Sequence, residues 1–177
     1  NSHHLPADEH AYQASLNNKW AVNYGAGGVK NGSNIAYTAP GGDVTFYYDE
    51  ATHWATSSAQ GPIITAPGSF QSELGCAGDW NPACMRPWLQ DPDGDGTYTW
   101  STDQIPVGSY EFKVAHALDW PGSYGDSNGN NVVLSVPSAC SVVTISFVLA
   151  RHPLSTQLPK PRPTPDLSWP EAFPVPR

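Results

Sequence analysis

Charge is scarce in this chain. Of 177 residues only 14% are Asp, Glu, Lys or Arg, and sixteen acids face eight bases, giving a formal net charge of −8. Sparse Lys and Arg on an acidic surface repel phosphate backbones, which argues against nucleic acid as a partner. The same sign disfavours docking on an anionic membrane. Long apolar runs are missing too, since no stretch approaches the roughly 20 residues of a membrane-spanning helix. There is no collagen period, and the 16 Gly and 18 Pro are too many for a helical bundle. Cysteine is limited to Cys76, Cys84 and Cys140. With no CxxC pair and no His beside them, a four-ligand zinc site has no basis. HExxH and phosphate-binding Gly loops are absent, and no Asp or Glu stands in a glycosidase-like motif. The chain therefore reads as non-catalytic.

What the sequence does have is aromatic: seven Trp, eight Tyr and five Phe make 11% of it, too much for a disordered polymer. Short β-branched and aromatic runs alternate with Gly, Asn and Pro clusters, which predicts strands at Ile35–Thr38, Val44–Tyr48, Thr97–Thr102, Tyr110–Ala115, Val132–Val136 and Val142–Leu149. The fourth of these is expected to fold back on the third as a hairpin across DQIPVGS. A helical turn is hinted only at Cys84–Gln90. The sum is an all-β sandwich with Gly/Pro-rich connections. The chain opens on Asn1 with no charged-then-apolar leader, and is read as a processed or truncated secreted product, hence extracellular. In that setting Cys76 and Cys84, within GCAGDWNPACM, are expected to form a disulfide. Cys140 is left over, as a small buried hydrophobe or an intermolecular partner.

An internal repeat organises the chain. The first copy runs from Trp20 to Phe46, the second from Trp120 to Ile145. Trp20 matches Trp120, Tyr24-Gly25 matches Tyr124-Gly125, Asn34 matches Asn131, Pro40 matches Pro137, and Val44-Thr45-Phe46 matches Val143-Thr144-Ile145. The copies are unequal. Strand-forming sequence from Ile63 to Leu118 precedes the second, whereas only a polar, His-bearing segment precedes the first. The expected division is an N-terminal arm (1–17), an incomplete half module (18–59), a complete sandwich (60–157) and a Pro-rich tail (158–177). Half a sandwich leaves an apolar face and open strand edges in water, so something must complete it.

The stretch APGSFQSELGCAGDWNPACMRPWLQDPDGDGTYTWSTDQIPVGSYEFKVA, residues 66–115, closely resembles the X25-type accessory module found beside the catalytic domains of bacterial pullulanases and amylopullulanases. ALDWPGSYGDSNGNNVVLSVP resembles the second half of that module, and residues 16–56 resemble the same half more closely. The resemblance covers roughly residues 14–157. It implies immunoglobulin-like β-sandwich modules, similar to starch-associated outer-membrane binding domains and not catalytic, here one complete and one incomplete with extended terminal arms.

Trp20 with Tyr24, and Trp120 with Tyr124, are candidate sugar-stacking pairs, because the C–H face of a pyranose suits an aromatic platform. Asn34 and Asn131 could bind hydroxyls nearby, and Trp80 with Trp88 could form a second surface. The competing reading is that these aromatics anchor the core. Asp91, Asp93 and Asp95 occupy positions 1, 3 and 5 of a calcium-loop pattern with Gly96 at 6, but Thr102 stands where a bidentate Glu is needed. They are read as a tight turn or as a weak calcium site, and no other cofactor is expected. His3, His4 and His10 belong to the polar segment, and Asn31-Gly32-Ser33 is a formal glycosylation sequon.

Two functions follow. In the first, the chain is a self-assembling extracellular subunit whose half module is completed head-to-tail by a neighbouring copy, giving a fibre. Leu167, Trp169, Phe173 and Val175 in the tail, and the polar first segment, are expected to reach across. In the second, it is an α-glucan-binding accessory module of an amylolytic enzyme. A third arrangement packs residues 1–59 on the complete module in cis.

Overall fold

The computed structural model describes residues 2–91, 94–149 and 154–160, the last as backbone only. Among these the chain is all β apart from one 3-10 turn at Ala26–Gly28. The first unit holds β1 (Ser2–Leu5), β2 (Asp8–Tyr12), β3 (Ala14–Ser15), β4 (Asn23–Tyr24), β5 (Ile35–Ala39), β6 (Gly42–Tyr48) and β7 (Ala55–Ser57). The second holds β8 (Ile64–Thr65), β9 (Trp88–Leu89), β10 (Thr97–Thr102), β11 (Gly108–Phe112), β12 (Val114–His116), β13 (Asp119–Tyr124), β14 (Val132–Val136) and β15 (Val142–Val148). A further strand, β16 (Leu154–Lys160), pairs antiparallel with β15 and brings Lys160 opposite Val142. The sandwich therefore runs a few residues into what the sequence reading set apart as tail. Leu167, Trp169, Phe173 and Val175 lie outside the described residues, as does Asp93.

Alternation builds the second unit's core. In β15 every second residue points inward, so that Val143, Ile145 and Phe147 are buried. Leu134 and Val136 of β14 face them, with Trp100, Phe112 and Val114 from the strands that pair across. Five further buried residues, Ile64, Ala66, Phe70, Leu74 and Leu89, come from the segment ahead of β10 and close the other side.

The expected hairpin is not formed. β10 pairs with β15, while β11 pairs with β14 in a different sheet. Ile105, 1% exposed, anchors the chain where it crosses between the layers, and the Pro106 carbonyl accepts the Tyr110 hydroxyl at 3.2 Å. A buried Ile and a Pro in the connection favour a crossing over a tight reversal. The helical turn hinted at Cys84–Gln90 is also absent, its end being β9. Cys140, read as a buried hydrophobe or an intermolecular partner, is exposed and unpaired within the chain, with φ of 60° in the turn ahead of β15.

The largest correction concerns the first seventeen residues. They are not an extended arm. β1 pairs with β6, β2 with β5 and β3 with β4, which is how β10, β11 and β12 pair with β15, β14 and β13. The correspondence reaches single hydrogen bonds. Ser2 Oγ meets Thr45 Oγ1 at 2.7 Å, as Ser101 meets Thr144 at 2.9 Å. His10 Nε2 lies 3.2 Å from the Pro6 carbonyl, where Tyr110 contacts Pro106. Gln13 Nε2 donates to the Gly32 carbonyl at 2.7 Å, as Lys113 Nζ donates to Gly129 at 2.8 Å. The repeat thus begins about eighteen residues before Trp20. β6 is paired on both edges within the chain, by β1 and β7, and β5 on one edge, by β2, so the first segment supplies in cis part of the pairing that seemed to require a neighbouring subunit. The first unit also packs on the second: Arg86 Nε lies 3.3 Å from Asp49 Oδ2, and Trp54 meets Trp88 edge-on at 5.6 Å between ring centroids.

Candidate functional site

Trp120 is placed by a two-residue turn. Ala117 and Leu118 have φ of 54° and 61°, which closes β12 on β13 with His116 opposite Asp119 and sends Trp120 out just after the reversal. The first unit repeats the device with Asn17 and Asn18, φ of 56° and 54°, ahead of Trp20. Asn tolerates this left-handed geometry better than Ala or Leu. Both indoles are exposed, Trp20 at 71% and Trp120 at 38%, so neither anchors a core.

Their tyrosine companions behave differently. Tyr124 packs half-buried against Phe147 and His116, at 5.3 and 5.1 Å between centroids. Tyr24 stacks on His53 at 3.7 Å. Asn131 donates to Glu111 Oε2 at 3.0 Å, and Asn34 accepts from Gln13 at 2.9 Å. These contacts tie the four to the neighbouring loops and to the second unit's core.

The partner that Trp120 does have is Trp80, 6.4 Å away between centroids and tilted by 33°. Trp80 sits at φ of 57° in the disulfide loop, its amide bonded to the Gly68 carbonyl at 3.2 Å. Cys76 and Cys84 are joined, with Cα atoms 6.1 Å apart. Gln71, fully buried, ties the loop from inside: its Oε1 accepts from the Asn81 amide at 2.8 Å and its Nε2 donates to the Asn81 carbonyl at 2.9 Å. Asp79 accepts from the Ser72 amide, and Arg86 donates to the Leu74 carbonyl. A loop fixed at so many points holds the Trp80 indole in one place. Sequence reasoning named Trp80 only as part of a second surface and missed Gln71; a lone Gln among turn formers gives no signal.

Trp88 lies on a different face, in a cleft of about 520 Å³ where Tyr98, Gln90, Asp91, Asn34 and Gln60 surround it. Asp91 is committed to the turn that follows, accepting from the amides of Gly94, Asp95 and Gly96 at 2.9, 3.2 and 2.9 Å. Asp95 accepts from the Thr97 amide. Asp91 and Asp95 thus cap the turn at residues 94–97 that enters β10; among the described residues, which do not include Asp93, no group of three or more His, Cys, Asp or Glu is placed to hold a metal. No helix among them is long and apolar enough to cross a membrane.

Residues 1–55 and 63–153 match the family described as the pullulanase X25 domain. The chain belongs to that family. The X25 match includes the first seventeen residues, in keeping with the strand pairing there. The amylopullulanase of Thermoanaerobacter thermohydrosulfuricus is 29% identical over 172 residues, 92% of this chain and 11% of that one. The amylopullulanase of Thermoanaerobacterium saccharolyticum is 29% identical over 148 residues, 78% of this chain and 11% of its own length. Among solved structures, the pullulanase from Bacillus acidopullulyticus aligns at a TM-score of 0.49 and 25% identity, over 71% of this chain and 13% of the enzyme. The X25 chain thus spans about a tenth of the length of the curated relatives it matches, the extent of an accessory module.

Proposed function

We propose that the chain is a non-catalytic, extracellular accessory module that binds α-glucan chains such as starch or pullulan for an amylolytic enzyme. The observation that carries this reading is the pairing of the exposed Trp120 with the half-buried Trp80, held by a tight turn and a disulfide loop. Two indole faces inclined to one another suit successive pyranose rings of a curved α-glucan, each offering a C–H face. The names of the relatives supply the substrate class, and the disulfide supports an oxidising compartment.

The test is retention on immobilised pullulan and soluble starch by affinity electrophoresis. The intact chain should be retarded; Trp120→Ala and Trp80→Ala should each lose most of the retardation while melting close to the parent. Trp20→Ala, lacking a counterpart of Trp80 in its unit, should change it little. A parent chain that migrates freely through both glucans would end this reading. Self-assembly into fibres is less favoured with β6 paired on both edges and β5 on one edge in cis, and light scattering should return a monomer.

A further inference from the structure

The inner face of the first unit is the place where the two repeats differ most. In the second unit, Phe70 fills the space against Trp100, Tyr110 and Phe112, with centroids 6.1 to 6.3 Å away. The segment carrying it lies along the outer edge of β11: the Ser69 amide donates to the Glu111 carbonyl at 2.9 Å, and the Lys113 amide donates to the Pro67 carbonyl at 2.9 Å. Gly68 bridges to Phe112 so closely that a Cβ there would meet the Glu111 carbonyl at 2.6 Å and Phe112 Cβ at 2.7 Å. In the first unit Ala11, Tyr12 and Gln13 stand where Glu111, Phe112 and Lys113 stand. β2 has β5 on one side and, among the described residues, no strand or bridge on the other. Beside it, among the described residues, is a groove of about 330 Å³ lined by His3, Tyr12, Ala14, Phe46 and Tyr48. The residues matching Phe46, Tyr12 and Ala14 in the second unit, Ile145, Phe112 and Val114, are wholly buried.

We propose that this groove and the open edge of β2 are a docking site for a partner polypeptide, which adds an extended small–Gly–small–aromatic segment antiparallel to Ala11–Gln13 and seats the aromatic ring near Tyr12 and His10. The occupant is argued from the second unit, where a segment of that chemistry sits on the matching surface. Backbone pairing supplies affinity, the aromatic ring supplies burial, and the close approach opposite Tyr12 demands glycine. The site is separate from the Trp80–Trp120 pair and does not depend on it.

The experiment titrates the intact chain with a synthetic peptide of residues 63–74, read by calorimetry and by amide hydrogen exchange. The peptide should bind and slow exchange at the amides of Ala11 and Gln13. Peptides carrying Gly68→Ala, Phe70→Ala or an N-methyl group on the Ser69 nitrogen should each bind about tenfold more weakly or worse, consistent with one lost backbone bond or one unburied ring. Peptide binding that ignores all three changes overturns the proposal, as does protection mapping away from residues 11–13. Displacement of the peptide by maltohexaose would make the groove a carbohydrate site instead. Concentration-dependent self-association that the peptide blocks would make a second copy the occupant, and would equally overturn it.

Discussion

The two units share a strand plan and differ in how well their interiors are sealed. Fourteen buried residues form the second unit's core, and five of them arrive from the segment ahead of β10. In the first unit, among the described residues, the buried cluster is Tyr37, Ala39 and Val44, with Leu5, Tyr12, Phe46 and Ala59 packed partly against it. Backbone pairing is therefore separable from core closure. Strand ladders satisfy polar groups, but stabilisation grows with apolar area removed from water, at about 25 cal/mol per Å². The first unit compensates with polar brackets: the Tyr12 hydroxyl donates to Gln60 at 2.7 Å, and Tyr48 bonds His53 at 2.6 Å. Burial, and then the neighbouring Tyr37, push the Tyr12 phenol well above its ordinary range, so it stays a donor at all physiological pH.

The sharpest way to break this comparison is at its matched pair. Phe112→Ala should cost about 3–5 kcal/mol in urea denaturation, whereas Tyr12→Ala should cost about 1–2 kcal/mol because its ring is only half-buried. Equal costs would mean that the first unit is sealed as tightly as the second. Replacing Cys76 and Cys84 together by Ser should lower stability by about 2–3 kcal/mol, the value for a short closed loop. Hydrogen exchange should then show the loss within residues 63–90 and leave β1–β7 unaffected.

A third pair should show the opposite outcome, parity. A Cβ on Gly25 would run into the Ser33 carbonyl, and one on Gly125 into the Asn130 carbonyl. Gly25→Ala and Gly125→Ala should each cost about 1–3 kcal/mol in thermal melts, since both loops fold over their glycine in the same way. The smallest effect is electrostatic. Asp126 is held below the usual carboxylate range by the amide of Asn130 first and that of Asn128 next. A lowered folded value stabilises above the unfolded one, and that contribution fades as pH falls through the folded value. Asp126→Ala should therefore reduce the melting temperature slightly at neutral pH and leave it unchanged in strong acid. Ala26 holds the matching position in the first unit, so Ala26→Gly should show no such pH dependence.

How much of this was legible follows from where each signal lies. Val44-Thr45-Phe46 and Val143-Thr144-Ile145 announce their strands because β-branched and aromatic residues cluster there. SHHL and DEHAY give no such cue: their exposed faces carry His, Asp and Glu, and their strand state comes from partners more than twenty residues away. The repeat matches Trp20 with Trp120, but Trp80 is forty residues from Trp120 in the chain and no spacing links them. The tyrosines and asparagines beside them were grouped with the tryptophans by proximity in sequence, while the fold turns them toward loops and core.

The sequence by itself determined the all-β class, the repeat and the cysteine-bearing loop, because each rests on local composition and on like residues recurring in order. Tertiary structure decided which strands meet, so β10 crosses away from β11 and residues 2–15 pair with the first repeat in cis. It also decided which aromatics face water. Both outcomes depend on burying surface against distant partners, and no local pattern carries that free energy.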